Sequence, residues 1–172
     1  MDRLIALYRP FLHRWPLVAL LASAAMLAIA HGFETFGHLP PCNLCLKQRE
    51  VYWVAGTIAL IALVLVRTPL QPRIWGPANA LLGFIFLFGA GIAFYHAGVE
   101  WHWWPGPQSC TATGSAATSA GMEALLRGEK INPPACDKVL WSFLGLSMAG
   151  WNMLISAKLS FLSFWASRER PA

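Results

Sequence analysis

The residues best able to do chemistry in this chain are four cysteines and an arginine. Cys42 and Cys45 form a Cys-x-x-Cys pair within PPCNLCLKQRE, and Arg49 follows one helical turn after the second sulfur. Cys110 and Cys136 lie far downstream, in GPQSCTATG and NPPACDKVL. A Cys-x-x-Cys pair can be a redox dithiol, half of a zinc site or a structural staple. Zinc usually takes its other ligands from a second close Cys or His pair. Cys110 and Cys136 are too widely spaced for that, although His38, His96 or His102 could contribute. A staple closing so short a loop removes little entropy from the unfolded chain. Thiol–disulfide exchange is therefore the favoured reading, and no metal is expected.

Reactivity should concentrate at Cys45. A helix that begins near this residue puts its thiol at a positive helix end, which favours the thiolate. Arg49 adds a permanent charge on the same face. Without the cysteines, Arg49 would read as a snorkelling anchor for lipid headgroups; beside them, a functional role is favoured.

These residues must be held by elements suited to lipid. The chain has 172 residues, 56% hydrophobic and only 12% charged, against roughly 25% charged in average soluble domains. The net charge of +5 does not signal nucleic acid, because the basic residues fall between apolar runs rather than in a patch interleaved with aromatics. Four runs approach the roughly 20 residues needed to cross a bilayer, at about 15–36, 46–66, 77–97 and 140–165. The expected fold is an all-α membrane protein. Residues 1–172 form one integral membrane domain, a four-transmembrane-helix bundle with outward loops at about 37–45 and 98–139. The prolines and Gly76 of RTPLQPRIWGP should keep helix out of the connection between the second and third runs.

Within the second loop, GMEALLRGEKI places Met122, Leu125, Leu126 and Ile131 in a roughly helical pattern. It reads as a short membrane-surface helix, or nearly as well as one packed on the span ends. TATGSAATSAG reads as a flexible stretch, and the first fourteen residues as an interfacial helix interrupted at Pro10.

Arg3, Arg9, Arg14, Arg67, Arg73, Lys158, Arg168 and Arg170 share the side of the termini and the short connection. Basic residues are retained in the cytoplasm, so both termini are expected there. The cysteines should then face the periplasm of a bacterial inner membrane, where disulfides persist. LAIAHG offers an Ala-x-Ala site that would make the first run a cleaved signal peptide. That alternative is disfavoured, because it leaves three spans with the chain ends on opposite sides. Trp101, Trp103, Trp104, Trp141, Trp151 and Trp165 read as an interfacial belt, in preference to a ring-stacking site at Trp101, Trp103 and Trp104. Gly83, Gly89 and Gly91 read as sites of close helix packing.

Taken in order, PCNLCLKQR, a cysteine at each end of the second loop, and CDKVLWSFLGLSMAGWN entering the fourth run resemble the bacterial disulfide bond formation protein B family. The resemblance covers most of the chain. It implies a thiol:quinone oxidoreductase whose acceptor is ubiquinone or menaquinone, drawn from the membrane's quinone pool, and whose partner is a periplasmic thioredoxin-fold thiol oxidase. Cys42 and Cys45 match the quinone-proximal pair, with Cys45 contacting the quinone ring, Arg49 supporting that contact and His96 adjacent to it. Cys110 matches the cysteine of the mixed disulfide with the partner, and Cys136 its mate. Gln48 departs from the pattern, since an acidic residue often precedes the arginine. A relative dedicated to one partner, and a non-enzymatic four-span protein with structural disulfides, are the alternatives.

Overall fold

In lipid every backbone N–H and C=O must be satisfied within the chain, which favours helices. The computed structural model describes residues 10–107, 126–127 and 136–169 and is almost wholly helical. The helices are α1 (Trp15–Thr35), α2 (Asn43–Leu65), α3 (Gln71–Glu100) and α4 (Met148–Ala166). α4 is preceded by a two-strand hairpin, β1 (Ser142–Phe143) and β2 (Leu146–Ser147). Helices α1, α2 and α3 are each long and apolar enough to cross a membrane. α4 packs most extensively on α3, and α2 sits between α1 and α3.

The core joins Trp15 and Ala19 of α1, Tyr52, Ala55 and Ala59 of α2, Leu82 and Phe86 of α3, and Leu159 of α4. Without a hydrophobic drive between helices in lipid, close van der Waals approach must hold them. Gly83 supplies it against the Phe164 ring, and Gly89 against Val51, where an added Cβ would sit 2.9 and 2.8 Å from those side chains. Gly91 does not share this role, since nothing lies within 4 Å of the Cβ position. At one end of the bundle, Trp15 Nε1 donates to Ser163 Oγ (2.8 Å) and Trp75 Nε1 to the Ala166 carbonyl (2.9 Å). The cysteines lie at the other end.

Two boundaries differ from the sequence expectation. α3 begins at Gln71 rather than near residue 77, because Pro72 falls in the first turn, where its missing N–H leaves nothing unsatisfied. Pro77 is carried inside the helix and deprives only the Arg73 carbonyl of its partner. Residues 140–147 are not helix. Leu144 (φ 52°) and Gly145 (φ 79°) make a turn with both central residues at positive φ, the conformation that suits a two-residue hairpin. The Ser147 hydroxyl then accepts from Gly150 N and starts α4. The expected surface helix in the second loop lies almost wholly outside the described residues, as does most of the amino-terminal interfacial segment.

Asn79 on α3 is fully buried, and neither amide atom has a hydrogen-bond partner among the described residues. A desolvated, unpaired amide costs about 1–3 kcal/mol. Asn79→Leu is therefore expected to raise the thermal midpoint of the detergent-solubilised protein, with a gain of that order. A lowered midpoint would show that the site has no room for the larger apolar side chain.

Candidate active site

The site is built on the first turn of α2. Cys42 is its N-cap, in extended conformation, and its Sγ accepts the backbone N–H of Cys45 at 3.2 Å. A sulfur thus occupies a position usually held by Ser, Thr, Asp or Asn. Both cysteines are free thiols, Cys42 buried and Cys45 partly exposed. The adjoining Cys45 sulfur, and then burial, push the Cys42 thiol above its ordinary value. In the fully reduced protein near neutral pH, iodoacetamide is expected to alkylate Cys45 at least about tenfold faster than Cys42. Peptide mass spectrometry over a time course checks this, and equal rates would contradict it.

α3 presents His96 to this turn, with Nε2 at 3.6 Å from Cys42 Sγ. Its other nitrogen, Nδ1, accepts from Gln48 Nε2 at 2.8 Å. The chain of contacts continues across three helices. Asn152 Nδ2 donates to Gln48 Oε1 at 2.5 Å, Tyr52 O–H donates to Asn152 Oδ1 at 2.5 Å, and Ser156 Oγ lies 2.8 Å from the Tyr52 oxygen. An amide nitrogen can only donate, so in this arrangement the neutral His96 ring carries its proton on Nε2, 3.6 Å from Cys42 Sγ, and the ring also hydrogen-bonds the backbone of Cys136. Glu100, one turn on, accepts from the Ser147 hydroxyl and holds its other oxygen 3.9 Å from His96 Nε2.

Arg49 lies where the spacing put it, on the turn after Cys45, but its hydrogen bonds run to α1. Its guanidinium donates to Glu34 at 2.5 Å and to the Ala30 carbonyl at 3.1 Å. It therefore clamps α1 to α2 while still lining a cavity with Cys45.

That cavity, about 400 Å³ in volume, is lined by Cys42, Cys45, Arg49, His96 and Glu100 and by the rings of Phe33, Trp141, Phe143 and Trp151. Trp141 lies 5.0 Å from Phe33 and stacks on Phe143 at 6.2 Å. Trp141 and Trp151 thus line the site rather than a lipid belt, a placement that follows from the hairpin before α4. Trp101, Trp103 and Trp104 do not line it. They cluster beside Tyr95, on which Trp104 stacks at 5.9 Å. Trp165 is at the opposite end of the bundle, donating to Glu169.

Cys136 is disulfide-bonded and 1% exposed, and it packs with Cys42 and Val99 in one buried cluster. The remaining cysteine, Cys110, lies outside the described residues. Sequence reasoning missed Glu34, Glu100, Tyr52 and Asn152, and saw Gln48 only as a departure. A weak signal was present for two of them: Glu34 and Glu100 are carboxylates set at the ends of long apolar runs, where acidic residues are uncommon.

Residues 13–166 match the family described as "Disulfide bond formation protein DsbB". The disulfide bond formation protein B of Nitrosococcus oceani is 31% identical over 153 residues, 83% of each chain. That of Methylococcus capsulatus is 32% identical over 165 residues, covering 90% of this chain and 94% of its own. That of Xylella fastidiosa is 32% identical over 158 residues, 88% and 86% of the two chains. No solved structure matches the chain.

Proposed function

This chain belongs to the disulfide bond formation protein B family, and from that premise we propose that it reoxidises a periplasmic thioredoxin-fold thiol oxidase and passes the electrons to quinone. Family members are membrane disulfide oxidoreductases. α4 serves as the fourth span, with both termini in the cytoplasm and the cysteine end of the bundle in the periplasm of the inner membrane.

One observation carries the reading: a free Cys-x-x-Cys pair opens onto an aromatic-lined cavity while a disulfide-bonded cysteine packs against its buried member. Largely apolar walls with a few polar groups gathered at one end suit a planar, apolar ring bearing carbonyl oxygens. Phe33, Trp141 and Phe143 would flank a quinone head group, and Arg49 and His96 would donate to its oxygens. Quinone, when bound, accepts the two electrons and two protons that a dithiol loses as it becomes a disulfide.

The protein's own residues do the rest. The reduced partner's thiolate attacks the Cys110–Cys136 disulfide at Cys110 and frees Cys136. Cys136, buried beside Cys42, attacks the Cys42–Cys45 disulfide at Cys42, so that Cys45 leaves as the thiolate facing the cavity. The partner's second thiol releases it as a disulfide. Cys110 then displaces Cys42 from Cys136, which restores the loop disulfide and leaves the Cys42–Cys45 dithiol to be oxidised. Each exchange forms one S–S bond as one breaks. Because the soluble oxidant is itself strong, at roughly −120 mV, the drive must come from the acceptor end.

The test mixes purified protein, quinone and a reduced periplasmic thioredoxin-fold protein, and follows quinone absorbance and partner thiols together. Stoichiometric loss of both supports the proposal. Absence of quinone reduction would favour cysteines that only brace the loops. Turnover with one partner among several would identify a dedicated relative.

A further inference from the structure

We propose that the dithiol form of this chain binds one zinc-class divalent cation through Cys42 Sγ, Cys45 Sγ and His96 Nε2, at a site that the Cys42–Cys45 disulfide abolishes. The three ligand atoms all lie within 4.8 Å of one another. Zinc binds thiolate at about 2.3 Å and imidazole at about 2.0–2.1 Å, so at a tetrahedral angle its sulfur and nitrogen ligands stand about 3.6 Å apart. Cys42 Sγ and His96 Nε2 are 3.6 Å apart already. The sequence argued against zinc because no second close Cys or His pair accompanies Cys42 and Cys45, with His96 one of three histidines that could contribute; the packing of α3 on α2 is what brings His96 to the pair.

Three further features fit. The Cys45 N–H already points at Cys42 Sγ, a bond that strengthens when the sulfur is ionised. Glu100 holds a carboxylate oxygen 3.9 Å from His96 Nε2 and lines the same cavity, so the fourth position is filled by this oxygen or by water. The outer face of His96 is also prepared. A histidine that ligates through Nε2 donates its Nδ1–H to a second shell, and Gln48 provides one by turning its amide over to present Oε1. Asn152 turns likewise, and Tyr52 then donates to Ser156 at their existing 2.8 Å separation. Each side chain in that chain can reverse its role, at the cost of the 3.3 Å bond that Gln48 Nε2 donates to the Leu44 carbonyl.

Binding releases two protons as both thiols ionise, with nothing oxidised or reduced, and two thiolates neutralise the dication in the protein's interior. The cation and the disulfide use the same sulfurs. Metal therefore holds the pair reduced and halts thiol exchange, which makes the site inhibitory and active only when oxidation has stalled.

Cobalt(II) is the probe, added to the reduced full-length chain with Cys110 and Cys136 replaced by serine, so that Cys42 and Cys45 are the only thiols. One equivalent should produce thiolate-to-cobalt charge transfer and the intense visible bands of tetrahedral cobalt, displaced by zinc and absent after oxidation. His96→Ala should remove the tetrahedral bands. His96→Cys should raise the charge transfer by about half, as two thiolates become three. Gln48→Leu should weaken binding roughly tenfold, while His38→Ala leaves it unchanged. No cobalt spectrum, or one unaltered by both His96 variants, overturns the proposal. The readout needs no quinone, so failure of the oxidoreductase reading would leave it intact.

Discussion

Cys45→Ser is expected to reduce quinone reduction to background, a loss of at least about 10³-fold, or ~4 kcal/mol of barrier. A hydroxyl cannot form the disulfide in which the two electrons leave the protein, and Cys45 is the partly exposed sulfur of the pair, on the cavity wall. The variant should also reveal the preceding exchange. Cys42 keeps its thiol and packs with Cys136; as the thiolate it attacks Cys136 of the loop disulfide, so that the Cys42–Cys136 bond forms as the Cys110–Cys136 bond breaks and Cys110 leaves as the thiol, with no Cys45 sulfur to carry the exchange on toward the cavity. A Cys42–Cys136 linked peptide should therefore accumulate, visible by mass spectrometry after non-reducing digestion. Cys42→Ser should lose quinone reduction equally but cannot form that peptide. Retained quinone reduction in Cys45→Ser would remove Cys45 from the reaction.

Arg49→Ala should have the second-largest effect, a fall of about 100-fold in kcat/KM for quinone, or ~2.7 kcal/mol, carried mainly by KM. Two functions are lost together. The side chain is a donor on the cavity wall, and through Glu34 and the Ala30 carbonyl it fixes α1 against α2. Lysine keeps the charge but cannot reproduce the guanidinium's fork of donors, so Arg49→Lys should recover only part of the loss. Glu34→Gln separates the roles by leaving the cation in place and weakening its anchor. An intermediate loss of roughly tenfold in kcat/KM is expected there. If Glu34→Gln matched Arg49→Ala, the clamp rather than the donor would be the working part. Initial rates over a quinone titration, with thermal midpoints beside them, distinguish these outcomes.

What was legible in the sequence follows from the range over which each signal acts. The Cys-x-x-Cys pair, the turn that places Arg49 and the extent of α1 depend on neighbours within a turn or on an uninterrupted apolar run. The starts of α3 and α4 were misjudged because prolines read as helix breakers where one was a first-turn residue, and because a two-residue turn at Leu144 and Gly145 is hard to see inside an apolar stretch. The chain from His96 through Gln48 and Asn152 to Tyr52 joins residues from three helices and has no local signature. The same applies to Glu34, whose significance depends on how α1 packs against α2.

The sulfur that caps α2 links the oxidation state of the pair to the backbone. A free Cys42 sulfur accepts the Cys45 N–H, and one bonded to another sulfur is a poorer acceptor with a different direction of approach. The amide proton of Cys45 should therefore exchange with solvent at a rate set by the bonding of its neighbour. The first turn of α2 becomes a gauge of redox state, read in a single backbone proton with no added label.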